Sequence, residues 1–217
     1  MKRLIIVCEG QTEVEFCKNV LQPFFLSNGI LIEAPLIKHS GGGIVAWGTL
    51  KKQLIQHLNE SGVFVTMLVD FYRIKDSFKF PGWEDAKKIG NLQKKMEYLF
   101  KEMEGDLPVL LQERFIPYIQ LHEFEGLLFS NITVFENNFK KSECNLEAIK
   151  AVIKEFPNPE DINNGPNTAP SVRLKNAIQR YNKDIYGCIL AEEIGLDNIR
   201  KRCPLFNQWI ERLLTHL

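Results

Sequence analysis

Three acidic residues each follow an apolar segment whose length and composition predict a β-strand. They are Glu9 after residues 4–8, Asp70 after residues 63–69 and Glu123 after residues 114–121. In open parallel sheets, ligands bind beyond the carboxyl ends of the strands, where neighbouring strand ends meet. We therefore expect the three carboxylates to share one site at a single edge of one sheet.

A fourth carboxylate, Glu13, lies four residues after Glu9, in the first turn of a helix predicted to begin near Thr12. Gly10 permits a sharp bend between strand and helix, and the Thr12 hydroxyl is expected to cap the helix. An acid in a first helical turn also interacts favourably with the helix dipole, so Glu13 has a structural explanation as well. Residues 9–13 lack the lysine of a Walker-type phosphate loop, which excludes that alternative.

Carboxylates that converge in this way must be neutralised. Two like unit charges about 4 Å apart repel by ~4 kcal/mol at an effective dielectric constant near 20. The cluster must therefore take up protons, pair with basic residues or bind a cation. Mg²⁺ or Mn²⁺ suits it, since such an ion takes one or two carboxylates, keeps waters and completes its shell with substrate phosphate. Metal-assisted phosphodiester hydrolysis follows, with Glu9 and Asp70 as the catalytic carboxylates.

Strands and helices alternate in the sequence up to about residue 130. Apolar segments predict strands at 4–8, 30–37, 63–69 and 114–121, and periodic apolar residues predict helices after Thr12, at 45–58 and at 83–104. This order is typical of an α/β fold with a mostly parallel sheet flanked by helices, and Pro35 indicates an edge position for the second strand. We expect one domain, with an α/β core at 1–130 and a helical extension at 131–217 packed on it.

The composition limits the kinds of partner. The 217 residues include 27 basic and 27 acidic side chains, so the formal net charge is zero. A dedicated nucleic-acid binder usually carries a basic surplus, because neutralising the phosphate backbone supplies much of its affinity. We therefore expect nucleic acid to be held only with the help of a partner.

The N-terminus and the cysteines indicate a compartment. The apolar run near the N-terminus is too short for a signal peptide or a membrane span. The five cysteines contain no Cys-x-x-Cys pair, and we expect them to be reduced thiols in the core. A cytoplasmic location without membrane contact is the resulting expectation.

Five segments, in a fixed order along the chain, carry a resemblance to a known domain. They are residues 9–13, 69–73 with 80–83, 122–129, 165–174 and 194–204. A strand ending in Glu-Gly followed by a strand ending in Asp resembles the Toprim domain of topoisomerases, primases and OLD-type nucleases. The whole set is similar to one Toprim-like bacterial family of unknown function, often encoded beside an AAA or ABC-type ATPase in phage-defence and abortive-infection loci.

This resemblance implies roles for individual residues. Glu9 takes the position of the Toprim glutamate, a general acid/base or metal-linked residue, and Asp70 that of the first aspartate of the Asp-x-Asp motif. The second aspartate position is Tyr72 here, and a phenol is a poor magnesium ligand. Glu123 and Glu125 could supply the missing oxygens, with Glu125 the weaker candidate because a residue two positions beyond the strand end could face away.

Four further residues near these motifs are candidates for binding substrate: Arg73, His122, Arg173 and Lys175. Arg73 could instead neutralise the acids, and His122 could be a hydrogen-bonded structural side chain. Arg173 and Lys175, which begin a helix in the sequence pattern, could simply be solvated or pair with the helix dipole.

Three functions are compatible with these features. The first is a Toprim-like, Mg²⁺-dependent nuclease that acts as the effector of a two-component bacterial defence system with a separate ATPase. The second is a catalytically degenerate Toprim module that serves as a partner-binding scaffold, favoured by Tyr72 and the zero net charge. The third is a small-molecule phosphohydrolase that uses the same acidic edge. The sequence leaves the oligomeric state open.

Overall fold

Four parallel strands form the centre of the molecule. The structure, a computed structural model, describes residues 1–41, 43–163 and 165–217. The strands are β1 (Lys2–Cys8), β2 (Ile30–Glu33), β3 (Val63–Leu68) and β4 (Phe115–Ile116). Their order across the sheet is β2-β1-β3-β4, and every pair is parallel. The predicted α/β class with a parallel sheet is confirmed, and β2 is an edge strand as Pro35 indicated.

Both faces of this sheet are covered. Consecutive residues of β1 and β3 are buried whichever face they point to, as expected for strands between two helical layers. On one face the Thr66 hydroxyl accepts a hydrogen bond from the Trp209 indole at 2.9 Å, which ties the last helix to the sheet. Val65 and Met67, on either side of Thr66, point to the opposite face and are fully buried there.

Helices connect the strands and make up the C-terminal part of the chain. They are α1 (Gln11–Phe16), α2 (Gln22–Ser27), α3 (Trp47–Leu58), α4 (Trp83–Ala86), α5 (Leu92–Gly105), α6 (Val109–Gln112), α7 (Ile132–Asn138), α8 (Leu146–Glu155), α9 (Pro170–Ala177), α10 (Lys183–Ile194), α11 (Leu196–Arg202) and α12 (Pro204–His216). A π-helical turn at Cys17–Leu21 joins α1 to α2, and short 3₁₀ helices include Phe71–Arg73 and Phe124–Ser130. Among the described residues, no helix is long and apolar enough to cross a membrane.

Three predicted elements are shorter than expected. The second strand was predicted to span 30–37 but covers only Ile30–Glu33. The fourth strand was predicted to span 114–121 but covers only Phe115–Ile116, because Pro117 has no N–H to continue the ladder. Pairing resumes only as an isolated bridge between Asp70 and Gln120. The helix predicted at 83–104 is divided into α4 and α5, and Asn91 starts the second of these by accepting a hydrogen bond from the Lys94 amide.

Candidate functional site

The acidic residues meet at the point where the chain reverses direction across the sheet. From β1 the chain runs to β2 on one side, and it then returns to β3 on the other side of β1. Crevices at such switch points, beyond the carboxyl ends of the strands, are the usual binding sites of open α/β sheets. Glu9 follows β1 directly and Asp70 lies two residues beyond β3.

Backbone amides fix Glu9 and Asp70 beside one another. The Asp70 amide donates to Glu9 Oε2 at 3.0 Å, and the Phe124 amide donates to Asp70 Oδ1 at 2.9 Å. Both carboxylates are buried, with 6% and 3% of the residue exposed. These two side chains therefore link the segments that follow β1, β3 and Leu121. Each carboxylate uses one oxygen for its amide hydrogen bond, and its second oxygen takes no part in these bonds.

Lys183, which the sequence analysis did not select, lies among the acids. Its Nζ atom is 3.5 Å from Glu13 Oε1 and 3.4 Å from Glu125 Oε2. It is the first residue of α10, and α10 packs closely on α1: a Cβ atom added to Gly187 would lie 2.8 Å from Thr12 Cγ2. The lysine thus reaches the site because a glycine lets two helices approach.

Thr12 serves packing instead of the predicted helix cap. The residue that caps α1 is Gly10, and no side chain forms a capping hydrogen bond there. Thr12 is the second residue of α1 and is buried against α10. Glu13 follows it in the first turn, where it is buried and faces Lys183.

Burial and mutual repulsion perturb these groups. Burial raises the pKa of Asp70 well above its ordinary value, opposed by the charge of Lys183. Burial also raises the pKa of Glu9 and of Glu125, although the hydrogen bond from the Asp70 amide lowers that of Glu9. For Lys183, burial lowers the pKa, but the surrounding carboxylates outweigh burial and raise it overall.

Glu123 and Glu125 take different places from those expected. The two residues lie at the start of a 3₁₀ helix, not along a strand, so strand alternation does not apply to them. Glu125 is buried and contacts Lys183 instead of facing away. The Glu123 carboxylate is partly exposed and accepts a hydrogen bond from the Ser171 amide, at the start of α9, at 3.0 Å.

Among the predicted substrate-binding residues, Arg73 is the one seen against an acid of the cluster. Its side chain is 56% exposed and its Nε atom lies 3.5 Å from Glu9 Oε1. Arg173 donates to the Thr168 carbonyl at 2.7 Å and lies over the Phe156 ring. Lys175 is exposed on the wall of a separate cavity that also contains Cys144.

His122 directly precedes Glu123 and Tyr72 follows Asp70 by two residues, and their backbones are hydrogen-bonded to each other. His122 is buried, its backbone has a positive φ of 62°, and its Nδ1 has no hydrogen-bond partner in the described structure. Burial lowers the pKa of the His122 imidazole. The Tyr72 amide donates to the His122 carbonyl at 3.1 Å, while the Tyr72 residue is 50% exposed.

A family model covers almost all of this chain. Searches of curated proteins and of solved structures give no significant match. The model that matches is described as a domain of unknown function, DUF4276, and it aligns with residues 8–214, a span that includes β3, α10 and every acid of the site. The chain therefore belongs to the DUF4276 family.

Proposed function

We propose that this protein is a divalent-metal-dependent phosphodiester hydrolase, a nuclease that works in a complex with an ATPase partner. The observation that carries the proposal is the pair of buried carboxylates of Glu9 and Asp70 at the switch point of a parallel sheet. Each is oriented by a backbone amide through one oxygen, and the second oxygen of Glu9 lies 3.5 Å from the Nε atom of the exposed Arg73. The resemblance of these motifs to Toprim nucleases agrees with this assignment.

The donor chemistry of the cluster fits a single hydrated Mg²⁺ or Mn²⁺. The four buried carboxylates of Glu9, Glu13, Asp70 and Glu125 are hard oxygen donors, and Lys183 and Arg73 leave two negative charges in excess. Among the described residues, no three Asp, Glu, His or Cys side chains are placed to hold a metal ion together. Magnesium does not need three, since it is commonly bound by one or two carboxylates and waters.

In this mechanism Glu9 and Asp70 would hold the ion, which would polarise the phosphodiester and lower the pKa of a bound water. Glu9 takes the Toprim position of a general acid/base or metal-linked residue, so it is also the candidate to accept a proton from an attacking water and later return it. Arg73, exposed and loosely paired with Glu9, is free to turn towards a substrate phosphate.

In this proposal the ATPase partner supplies most of the affinity for nucleic acid. The chain has no net charge, so few counterions are released when it meets DNA or RNA alone. Two exposed apolar side chains of α10, Ile185 and Ile189, lie four residues apart on the helix that carries Lys183. They support a second candidate, the partner-binding scaffold without catalysis.

Metal titration tests the proposed site. We expect the isolated chain to bind Mn²⁺ weakly, in roughly the millimolar range, and more tightly when a nucleotide completes the shell. Glu9→Gln and Asp70→Asn should each weaken binding about tenfold or more, which corresponds to ~1.4 kcal/mol. Glu147→Gln, at a side chain 84% exposed, is the matched control. Equal binding by all four proteins would exclude this cluster as the metal site.

Cleavage assays on the assembled complex separate the two candidates. A nuclease predicts metal-dependent cutting of DNA or RNA that Glu9→Gln and Asp70→Asn abolish without disrupting assembly. A scaffold predicts that these variants keep biological activity, whereas Ile185→Asp or Ile189→Asp breaks the complex. If the complex cuts no nucleic acid under any metal or ATP condition, the nuclease assignment is wrong.

A further inference from the structure

The segment directly after Asp70 combines aromatic and basic side chains. Residues 71–79, which we call the basic loop, contain three aromatic residues, three basic residues and one acid. All three basic residues are exposed, and among the described residues neither Lys75 nor Lys79 forms an ion pair. Because the whole chain has no net charge, the basic loop is a local excess of positive charge next to the acidic site.

Apolar side chains and one hydrogen bond fix the basic loop to the protein. Ile74 is buried, and the rings of Phe71 and Trp83 pack with their centroids 5.4 Å apart. The Trp83 indole also donates to Asp76 Oδ1 at 2.8 Å, so the single acid of the loop is already engaged. A surface held in this way is preorganised, and it loses little conformational entropy when it binds a ligand.

Tyr72 is the most exposed aromatic residue of the basic loop. The residue is 50% exposed, although a tyrosine ring usually gains free energy from burial. Arg73 beside it is also exposed, with its Nε atom 3.5 Å from Glu9 Oε1, and Lys75 Nζ lies 5.9 Å from the centroid of the Phe78 ring. An accessible ring next to guanidinium and ammonium groups is the arrangement that binds single-stranded nucleic acid, because a base stacks on the ring while the cations contact phosphates.

We infer that the basic loop binds single-stranded nucleic acid, with one base stacked on Tyr72 and the neighbouring phosphates held by Arg73 and Lys75. This inference rests on the proposed nuclease function and names its substrate as a single strand, since a base paired and stacked in a duplex presents no free face to the ring. Because Arg73 contacts Glu9, a phosphate bound by Arg73 lies at the edge of the acidic site. The ATPase partner supplies most of the affinity, and the basic loop positions one nucleotide.

Fluorescence anisotropy of the full chain with a short labelled oligothymidine, at low salt and without divalent ions, tests this inference. We expect weak binding to the single strand and weaker binding to a duplex of the same length. Tyr72→Leu should weaken single-strand binding about tenfold because base stacking is lost, whereas Tyr72→Phe keeps the ring and should bind like the wild type. Arg73→Gln and Lys75→Gln should each lower the slope of log affinity against log salt by about 0.7. Lys154→Gln, at an exposed lysine of α8, is the matched control and should change neither quantity.

Photocrosslinking identifies the stacked residue directly. An iodouracil-substituted strand should cross-link to Tyr72 under ultraviolet light, and mass spectrometry of the loop peptide would locate the adduct. No binding by the wild type, tighter binding to the duplex, or equal binding by Tyr72→Leu would overturn the inference. So would a Tyr72→Leu protein that keeps its nucleic-acid binding but loses the ATPase, because the basic loop would then be a protein contact. These outcomes leave the metal and cleavage tests of the proposed function unaffected. A complex that binds single strands through Tyr72 but cuts none would reject the nuclease and keep the binding surface.

Discussion

At the scale of single residues, each acid of the cluster is held in its own way. Glu9 and Asp70 accept backbone amide hydrogen bonds, which favour their charged forms, while burial opposes charge. Glu13 and Glu125 are compensated by Lys183. Because each carboxylate keeps some compensation, the cluster does not need a metal to stay folded, and under the proposed function it would still bind one.

Tyr72→Asp tests whether position 72 faces the metal. The side chain is half-exposed, so its replacement should change stability by no more than about 0.5 kcal/mol. A carboxylate at this position should tighten Mn²⁺ binding by ~tenfold, since it adds a hard oxygen donor to the rim. Titration calorimetry would measure the change, with Tyr72→Asn as the neutral control of similar size. Unchanged affinity would show that this position is turned away from the metal.

The sequence pointed to the acids but not to the lysine, for a physical reason. Glu9 and Asp70 were found because a polar residue at the end of an apolar strand is a local signal. Lys183 meets Glu13 and Glu125 from 170 and 58 residues away, and its own neighbours in sequence give no such signal. The repulsion among the carboxylates predicted neutralisation by protons, basic residues or a bound cation, but it did not indicate which of the 27 basic residues would take part.

At the scale of elements, the contact between α1 and α10 determines the geometry of the site. Glu13 lies on α1 and Lys183 on α10, so any change in the spacing of the two helices moves the ion pair. Gly187 is a point of close approach between the two helices, and its missing side chain leaves room for the Thr12 methyl group. The packing of two helices is thereby coupled to the charge balance of the acids.

Gly187→Ala should destabilise the protein although alanine favours helices. The added Cβ would lie 2.8 Å from Thr12 Cγ2, so α10 must shift, at a cost of about 1–3 kcal/mol. Gly48→Ala in α3 is the matched control, because a Cβ there meets nothing within 4 Å and should stabilise by about 0.4–1 kcal/mol. Denaturant unfolding would measure both. Equal effects of the two substitutions would contradict the close-packing argument.

Elements with strong apolar periodicity could be predicted, and their ends could not. The buried runs of β1 and β3 and the repeating pattern of α5 contain enough local information to define strands and a helix. The short β4 depends on Pro117, a single residue without an N–H inside an otherwise strand-like segment. The 3₁₀ helix at Phe124–Ser130 lacks a periodic signal, so the sequence could not predict the direction of the Glu125 side chain.

At the scale of the whole molecule, the net charge is zero but the charged side chains are unevenly distributed. The acids of the site are concentrated in one buried crevice, whereas most ion pairs among the described residues lie at the surface, where they contribute little stability. Another buried acid, Glu160, lies away from this crevice and accepts the amides of Leu205 and Phe206 at the start of α12. Burial raises the pKa of Glu160 to about 7. Titration of these buried acids should therefore govern how the fold responds to pH.

Stability without divalent ions should fall as pH rises from about 5 to about 7.5. The pKa values of Glu9, Asp70, Glu125 and Glu160 are raised on folding, so their contribution is complete below the ordinary carboxyl pKa and is lost as pH rises through the folded values. Glu160 alone, shifted from 4.5 to about 7, accounts for on the order of 3 kcal/mol. His122 acts in the opposite sense, since its pKa is lowered.

Chemical denaturation at a series of pH values would measure this slope. Glu160→Gln should flatten it because the amide does not titrate, whereas Glu147→Gln, at a carboxylate on α8 whose side chain is 84% exposed, should leave it unchanged. Saturating Mn²⁺ should flatten the part that belongs to the acidic site, since a bound cation favours the charged carboxylates. A wild-type free energy of unfolding that rises between pH 5 and 7.5 would contradict the raised pKa values of the buried acids. So would a slope that neither Glu160→Gln nor Mn²⁺ reduces, because the buried acids would then not be the groups that titrate.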